Sequence, residues 1–328
     1  MPTHIFHPLR RLAVAAVTIG LAATLFGCTQ PDPTPSESAI TSAVGPTQFT
    51  DDLNNPVVVK STGRVVACMG SFANMWELAG GHLIAVSDDA FDQYTITSPD
   101  VELIGDFSSP DIEKILALEP DFVIMTGASG GRGGGVAQTD LKPTLDKAGI
   151  PVAYFTVTTF SDYLRVMKIM TTITGRPDLY EKYGTDVQSQ IDDIIAKVPD
   201  TSTQQTVALM TTYSQGTVVQ DSSTMTGAML SDLKAANLAD VNQSLLHDFS
   251  LEGLINANPA YILVVPMGND TAAAMAALEA QTKANPAWAT LDAVKNDKYV
   301  ILEPRLFLYK PNADWAQSYQ TLFDILYG

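Results

Sequence analysis

EKILALEPDFVIMTG, residues 113–127, returns 139 positions later as EGLINANPAYILVV, residues 252–265. In each copy a glutamate (Glu113, Glu252) leads an apolar stretch and a proline (Pro120, Pro259) sits seven residues after it. A strand-like apolar run follows, Phe122–Met125 in the first copy and Tyr261–Val265 in the second. Both copies keep register across the whole helix–proline–strand span, which points to one supersecondary unit used twice and hence to two similar lobes. Two lobes leave a cleft between them, and clefts are where small ligands bind.

The N-terminus reads as a targeting segment. Arg10 and Arg11 precede Leu12–Phe26, an apolar run of 15 residues, too short to span a bilayer comfortably and right for the core of a signal peptide. Leu25-Phe26-Gly27-Cys28 resembles a bacterial lipobox, with Cys28 as the lipidated residue and Phe26 bulkier than the pattern prefers. The sequence thus divides into a signal peptide (1–27), a lipidated Cys28 with a tether rich in Thr, Pro and Ser (28–56), an N-terminal lobe (57–160), a connecting helical segment (161–199) and a C-terminal lobe (200–328). The implied location is extracytoplasmic, at a membrane surface through the lipid anchor.

Net charge narrows the partners. Removing residues 1–27 takes away two arginines and no acid, which moves the formal charge from -17 to -19. So acidic a surface argues against nucleic acid and anionic lipid. With Cys28 lipidated, Cys68 is alone and reads as a small core residue, so no internal disulfide is expected.

From Arg64 onward, strand-like and helix-like segments alternate: Arg64–Ala67, Ser71–Gly80, His82–Ser87, Pro110–Leu118, Phe122–Met125, Leu141–Ala148 and Pro151–Phe155. That rhythm means a parallel sheet with helices on its faces. It is interrupted by two helical stripes, Ser161–Thr174 and a second with Asp178 as its expected cap, running to Pro199 and roughly 30 Å long at 1.5 Å per residue. Alternation then resumes to the end. The fold class expected is α/β: two Rossmann-like lobes with parallel sheets, joined by a single long rigid helix.

The chain resembles the cluster A (class III) periplasmic-binding-protein family, the substrate-binding proteins of bacterial ABC importers for iron siderophores, haem and cobalamin. The pieces that carry the resemblance are Asp51-Asp52 with Arg64-Val65-Val66, SPDIEKILALEPDFVI at 109–124, the long mid-chain helix, and KPNADWAQSYQTLFDIL at 310–326. The resemblance implies a ligand held between the lobes, limited hinge movement, and one glutamate per lobe, Glu113 and Glu252, pairing with arginines of a permease dimer. Such docking is physically sensible, since Arg–carboxylate pairs can be bidentate. Each glutamate is also well placed for the dipole of its own helix.

Ligands of open parallel sheets bind beyond the C-terminal ends of the strands. The residues there with suitable chemistry are Phe72, Tyr94, Arg132, Tyr213, Arg305 and Tyr309, with Lys310 as a further cation. Aromatic faces with a few cations suit a bulky, partly apolar, often anionic chelate. GASGGRGGG at 127–135 lacks the Gly-Lys-Ser/Thr ending of a phosphate loop and reads better as a rim loop carrying Arg132.

A bare-metal site needs several His and carboxylate ligands, and beyond the signal peptide only His82 and His247 occur, so no metal site is expected. Haem needs one or two axial ligands, which keeps it open. HExxH is absent, and an enzyme is not expected. The sequence reads as a monomeric, lipid-anchored binding protein with no cofactor of its own. Its ligand is expected to be an iron chelate, foremost a ferric siderophore, with haem or cobalamin as the alternative.

Overall fold

The computed structural model of the chain describes residues 45–128, 137–200, 204–247, 250–268 and 270–328. Cys28 and Arg132 fall outside these residues.

Two five-stranded sheets organise the molecule. The first runs Glu102–Leu103, Ala85–Val86, Val65–Ala67, Phe122–Thr126, Val152–Phe155 from edge to edge, with every pair parallel. Numbered along the chain this order is 3-2-1-4-5, a doubly wound arrangement whose order reverses between Val65–Ala67 and Phe122–Thr126. The second runs Ala236–Asn237, Thr206–Tyr213, Tyr261–Pro266, Tyr299–Ile301, again parallel. Here the structure departs from the all-parallel expectation. Gly216–Gln220 folds straight back on Thr206–Tyr213 as an antiparallel hairpin.

The strands alternate between two apolar environments, as a sheet covered on both faces must. Val65, Ala67, Phe122, Ile124, Ala153 and Phe155 face one cluster, while Val66, Cys68, Val123, Met125, Val152 and Tyr154 face another. In the second sheet Val207, Leu209, Leu263 and Val265 alternate with Ala208, Met210, Ile262 and Val264 in the same way. The inner faces of both sheets feed one continuous core, completed by the helices Gly70–Leu78, Phe160–Thr174, Asp186–Ile195 and Trp315–Tyr327. Cys68 lies fully buried as a core residue.

The duplication is visible in the backbone. Asp111 caps the helix Ile112–Ala117 by accepting from the amides of Glu113 and Lys114, and Ser250 caps Leu251–Ala257 by accepting from that of Gly253. Glu113 and Glu252 therefore occupy the same second helical position. Each helix ends through a left-handed residue, Glu119 at φ 43° and Asn258 at φ 42°, directly before its buried proline. The left-handed residue turns the chain out of the helix, and the proline prevents the helix from continuing.

The connecting segment is helical from Pro177 to Ile195 without interruption, as Pro177–Tyr180, a π turn at Glu181–Thr185 and Asp186–Ile195. Its cap differs from the expected one. Arg176 is the N-cap, Pro177 takes the first turn, and Asp178 forms a bidentate pair with Arg176 instead (2.9 and 2.7 Å). The preceding helix, Phe160–Thr174, opens on a capping box between Thr159 and Asp162 and ends at Gly175 with φ 70°. Other boundaries also move. Pro110 lies just outside its helix, and Asp51–Asp52 form the turn of a hairpin between Thr47–Thr50 and Pro56–Val59. Asp51 is 4% exposed and accepts from the amides of Leu53, Asn55 and Tyr154; Asp52 accepts from Thr156 and pairs with Arg165. These two carboxylates fasten the hairpin to the edge of the first sheet.

Candidate functional site in the cleft

The site is assembled from loops that leave the C-terminal ends of strands. Val65–Ala67 leads into Met69 and the helix Gly70–Leu78, and Ala85–Val86 leads into Ser87 and the short helix Asp89–Gln93. From the second sheet, Tyr299–Ile301 leads into Pro304–Phe307 and then Tyr309–Asn312. These loops meet.

The hydroxyl of Tyr94 donates to the carbonyl of Lys310 at 3.0 Å. The Lys310 ammonium lies 5.2 Å from the centroid of the Phe72 ring and 3.8 Å from Sδ of Met69. The Asn312 amide donates to the carbonyl of Ser71 (2.9 Å) and to Oδ1 of Asn74 (2.8 Å). Asn312 is 1% exposed and holds φ 52°, a conformation that asparagine tolerates better than most residues. Below this layer Trp315 is fully buried, its ring 5.6 Å from Phe160 and 6.2 Å from Tyr163.

The charged groups of the cluster act on one another. Asp89 accepts from the amide of Gly70 (3.0 Å) and from the Ser87 hydroxyl (2.5 Å). Burial raises its pKa, Asp106 adds to the rise, and these two hydrogen bonds work against it. Burial pushes the Lys310 ammonium down to about 8, with Asp89 pulling the other way. The phenols of Tyr94 and Tyr309 are both pushed up, first by burial and then by Asp89. Both phenols therefore stay protonated at neutral pH.

Of the expected ligand residues, the structure draws Tyr94 and Tyr309 together around Asp89 and Lys310. Phe72 is a correction. It is 0% exposed, stands edge-on to Phe155 in the core, and offers its face to Lys310. Arg305 lies within reach of two acids. It pairs with Asp314 at 2.5 Å and approaches Glu303 at 3.5 Å. Tyr213 ends its strand at the hairpin, paired with Gly216, and makes no hydrogen bond to the cluster among the described residues. Sequence reasoning passed over Asp89 and Asn312. Asp89 sits in a run of acids where nothing marks one as special, and Asn312 is distinguished by a backbone angle that no local pattern announces.

Glu113 and Glu252 are both exposed. Among the described residues no group of three or more His, Cys, Asp or Glu is placed to hold a metal ion. Nor is any described helix long and apolar enough to cross a membrane.

Comparison with known proteins agrees with this architecture. The structure is similar to S. aureus IsdE complexed with heme, with a TM-score of 0.67 at 17% identity, over 81% of this chain and 99% of that one. It is similar also to Staphylococcus aureus SirA complexed with staphyloferrin B, with a TM-score of 0.65 at 19% identity, over 86% and 97%. In sequence it is 27% identical over 213 residues to the iron-uptake system-binding protein of Bacillus subtilis, covering 63% of this chain and 62% of that protein, which is less than two thirds of its length. The model of the family described as periplasmic binding protein matches residues 65–306. The chain belongs to the periplasmic binding protein family.

Proposed function

We propose that this protein is the extracytoplasmic solute-binding component of an ABC importer, held at the membrane by lipid on Cys28, and that it captures an iron chelate, foremost a ferric siderophore, between its lobes. The observation that carries the reading is the meeting of strand-end loops from both sheets at Tyr94 and Lys310, the position where doubly wound sheets bind ligands. Relatives whose names speak of iron uptake, haem and staphyloferrin B support the ligand class. Aromatic rings and one half-buried ammonium give a bulky chelate apolar contact with a little polar anchoring. Glu113 and Glu252, exposed at equivalent positions of the repeat, are the carboxylates proposed to meet arginines of the permease dimer.

Haem is the second reading, favoured by the IsdE likeness. Against it, a tyrosinate ligand to haem iron would have to form where burial and Asp89 hold Tyr94 and Tyr309 protonated. The test is a titration of the purified protein with ferric hydroxamates, ferric catecholates, haem and cobalamin, following tryptophan fluorescence. Trp76 and Trp315 are both buried in the core that the two sheets share. Saturable quenching by a ferric siderophore sustains the first reading; a Soret shift with haem alone selects the second. Silence across the panel overturns both.

A further inference from the structure

The helix Gly70–Leu78 begins beside Lys310 and Asp89, and its amide end is already occupied. The carboxylate of Asp89 accepts the Gly70 amide at 3.0 Å. The approach is so close that a Cβ on Gly70 would lie 2.9 Å from Oδ2 of Asp89 and 2.6 Å from Cα of Ala90. A helix N-terminus beside an ammonium is a ready site for an anion. The ammonium is Lys310, whose described partners are a thioether and a ring face. The Ser71 hydroxyl, 2% exposed in the first turn of the same helix, sits beside the Tyr94 hydroxyl. The elements of an anion site are thus present, and a side chain of the protein fills it. Around that carboxylate stand Asp92 on the same short helix and Asp106 on the neighbouring loop, so any further negative charge would meet more of its own sign.

We propose that Asp89 determines the charge class of the ligand: by holding the amide end of helix Gly70–Leu78 beside Lys310 it cancels the positive groups of the cleft, so that the site takes an uncharged or cationic ferric chelate and turns away polyanionic ones. This rests on the reading of the cleft as an iron-chelate site. A trianionic chelate entering beside Asp89 would meet like charge at short range, where the effective dielectric is well below that of water and repulsion is correspondingly large.

The experiment measures the affinity of the purified protein for ferrichrome, a neutral ferric tris-hydroxamate, and for the trianionic ferric tris-catecholate of enterobactin, at low and moderate salt. Wild type is expected to prefer the neutral chelate by at least about tenfold, a margin of about 1.4 kcal/mol, and salt is expected to narrow the gap by screening. Asp89→Asn keeps a carbonyl oxygen for the Gly70 amide while removing the charge. It is expected to tighten binding of the trianion relative to ferrichrome by about tenfold. A wild type that binds the trianion at least as tightly as the neutral chelate overturns the proposal and leaves the iron-chelate reading standing. So does an Asp89→Asn protein, folded by circular dichroism, whose selectivity is unchanged. If wild type binds neither chelate, the underlying reading fails and the proposal falls with it. Should Asp89→Asn not fold, the wild-type preference and its salt response decide.

Discussion

The hydroxyl of Tyr94 donates to the main-chain carbonyl of Lys310 at 3.0 Å, joining residues 216 positions apart and loops that leave different sheets. Tyr94→Phe keeps the ring and deletes the donor, leaving that carbonyl without its partner. Removal of one member of a buried hydrogen bond costs about 1–3 kcal/mol. Urea unfolding should show a loss of stability in that range with an unchanged m-value. No loss would mean the bond is incidental to how the lobes are held.

Lys310 gives a pH signature of defined sign. Its ammonium has a folded-state pKa of about 8, below the ordinary lysine value of 10.5. The folded protein therefore binds fewer protons than the unfolded chain between these values, and this residue's contribution to stability rises with pH across that window. Below pH 8 the full cost of burying the charge is present. Lys310→Met should accordingly be more stable than wild type at pH 7, by up to about 3 kcal/mol at 1.36 kcal/mol per pKa unit. The difference should shrink as pH approaches 10. Guanidinium melts of both proteins at pH 7 and pH 9.5 test it, and a constant difference would show that Lys310 is not desolvated.

Asn312 combines two functions that substitutions can separate. Asn312→Gly keeps access to φ 52° and loses the amide bonds to Ser71 and Asn74. Asn312→Ala loses both. The alanine protein should therefore be the less stable of the two by about 1 kcal/mol, the usual cost of forcing a Cβ into a left-handed conformation. Equal melting temperatures would show that the backbone relaxes to a right-handed angle.

Glu113→Arg and Glu252→Arg reverse charges that are exposed on their helices. Both proteins should bind the chelate with wild-type affinity and fail to support its uptake by cells. Each substitution also opposes its helix dipole, which should cost about 0.3–1 kcal/mol of stability. Weakened chelate binding in either variant would move that glutamate from the permease face to the ligand site.

The repeated unit was readable in the sequence because its determinants are local. A cap, a glutamate in the first turn, a proline after the helix and an apolar strand all sit within about fifteen residues, and each acts through its own backbone. The hairpin at Gly216–Gln220 was readable as a strand and not as antiparallel, since direction depends on the short turn after Tyr213. The cap at Arg176 was misassigned to Asp178 because both precede the apolar stripe, and only the Arg176–Asp178 ion pair separates their roles. At the site, aromatic type picked out Tyr94 and Tyr309, which the structure brings near one another. It also picked out Phe72, which the same apolar chemistry drives into the core. Asp89 gains its meaning from the Gly70 amide nineteen positions away, and a contact of that range leaves no periodic trace.

The single core fed by both sheets bears on how the two copies came to behave as one. Trp315, from the segment after the last strand, is buried against Phe160 and Tyr163 on the helix that leaves the first sheet. An ancestral half, able to fold by itself before duplication, would have needed its own closed interior. Here each half keeps an apolar cluster of its own on one face of its sheet and shares the core on the other face. A gene encoding either lobe alone would yield a chain whose half of the shared core lies open to water as an apolar face.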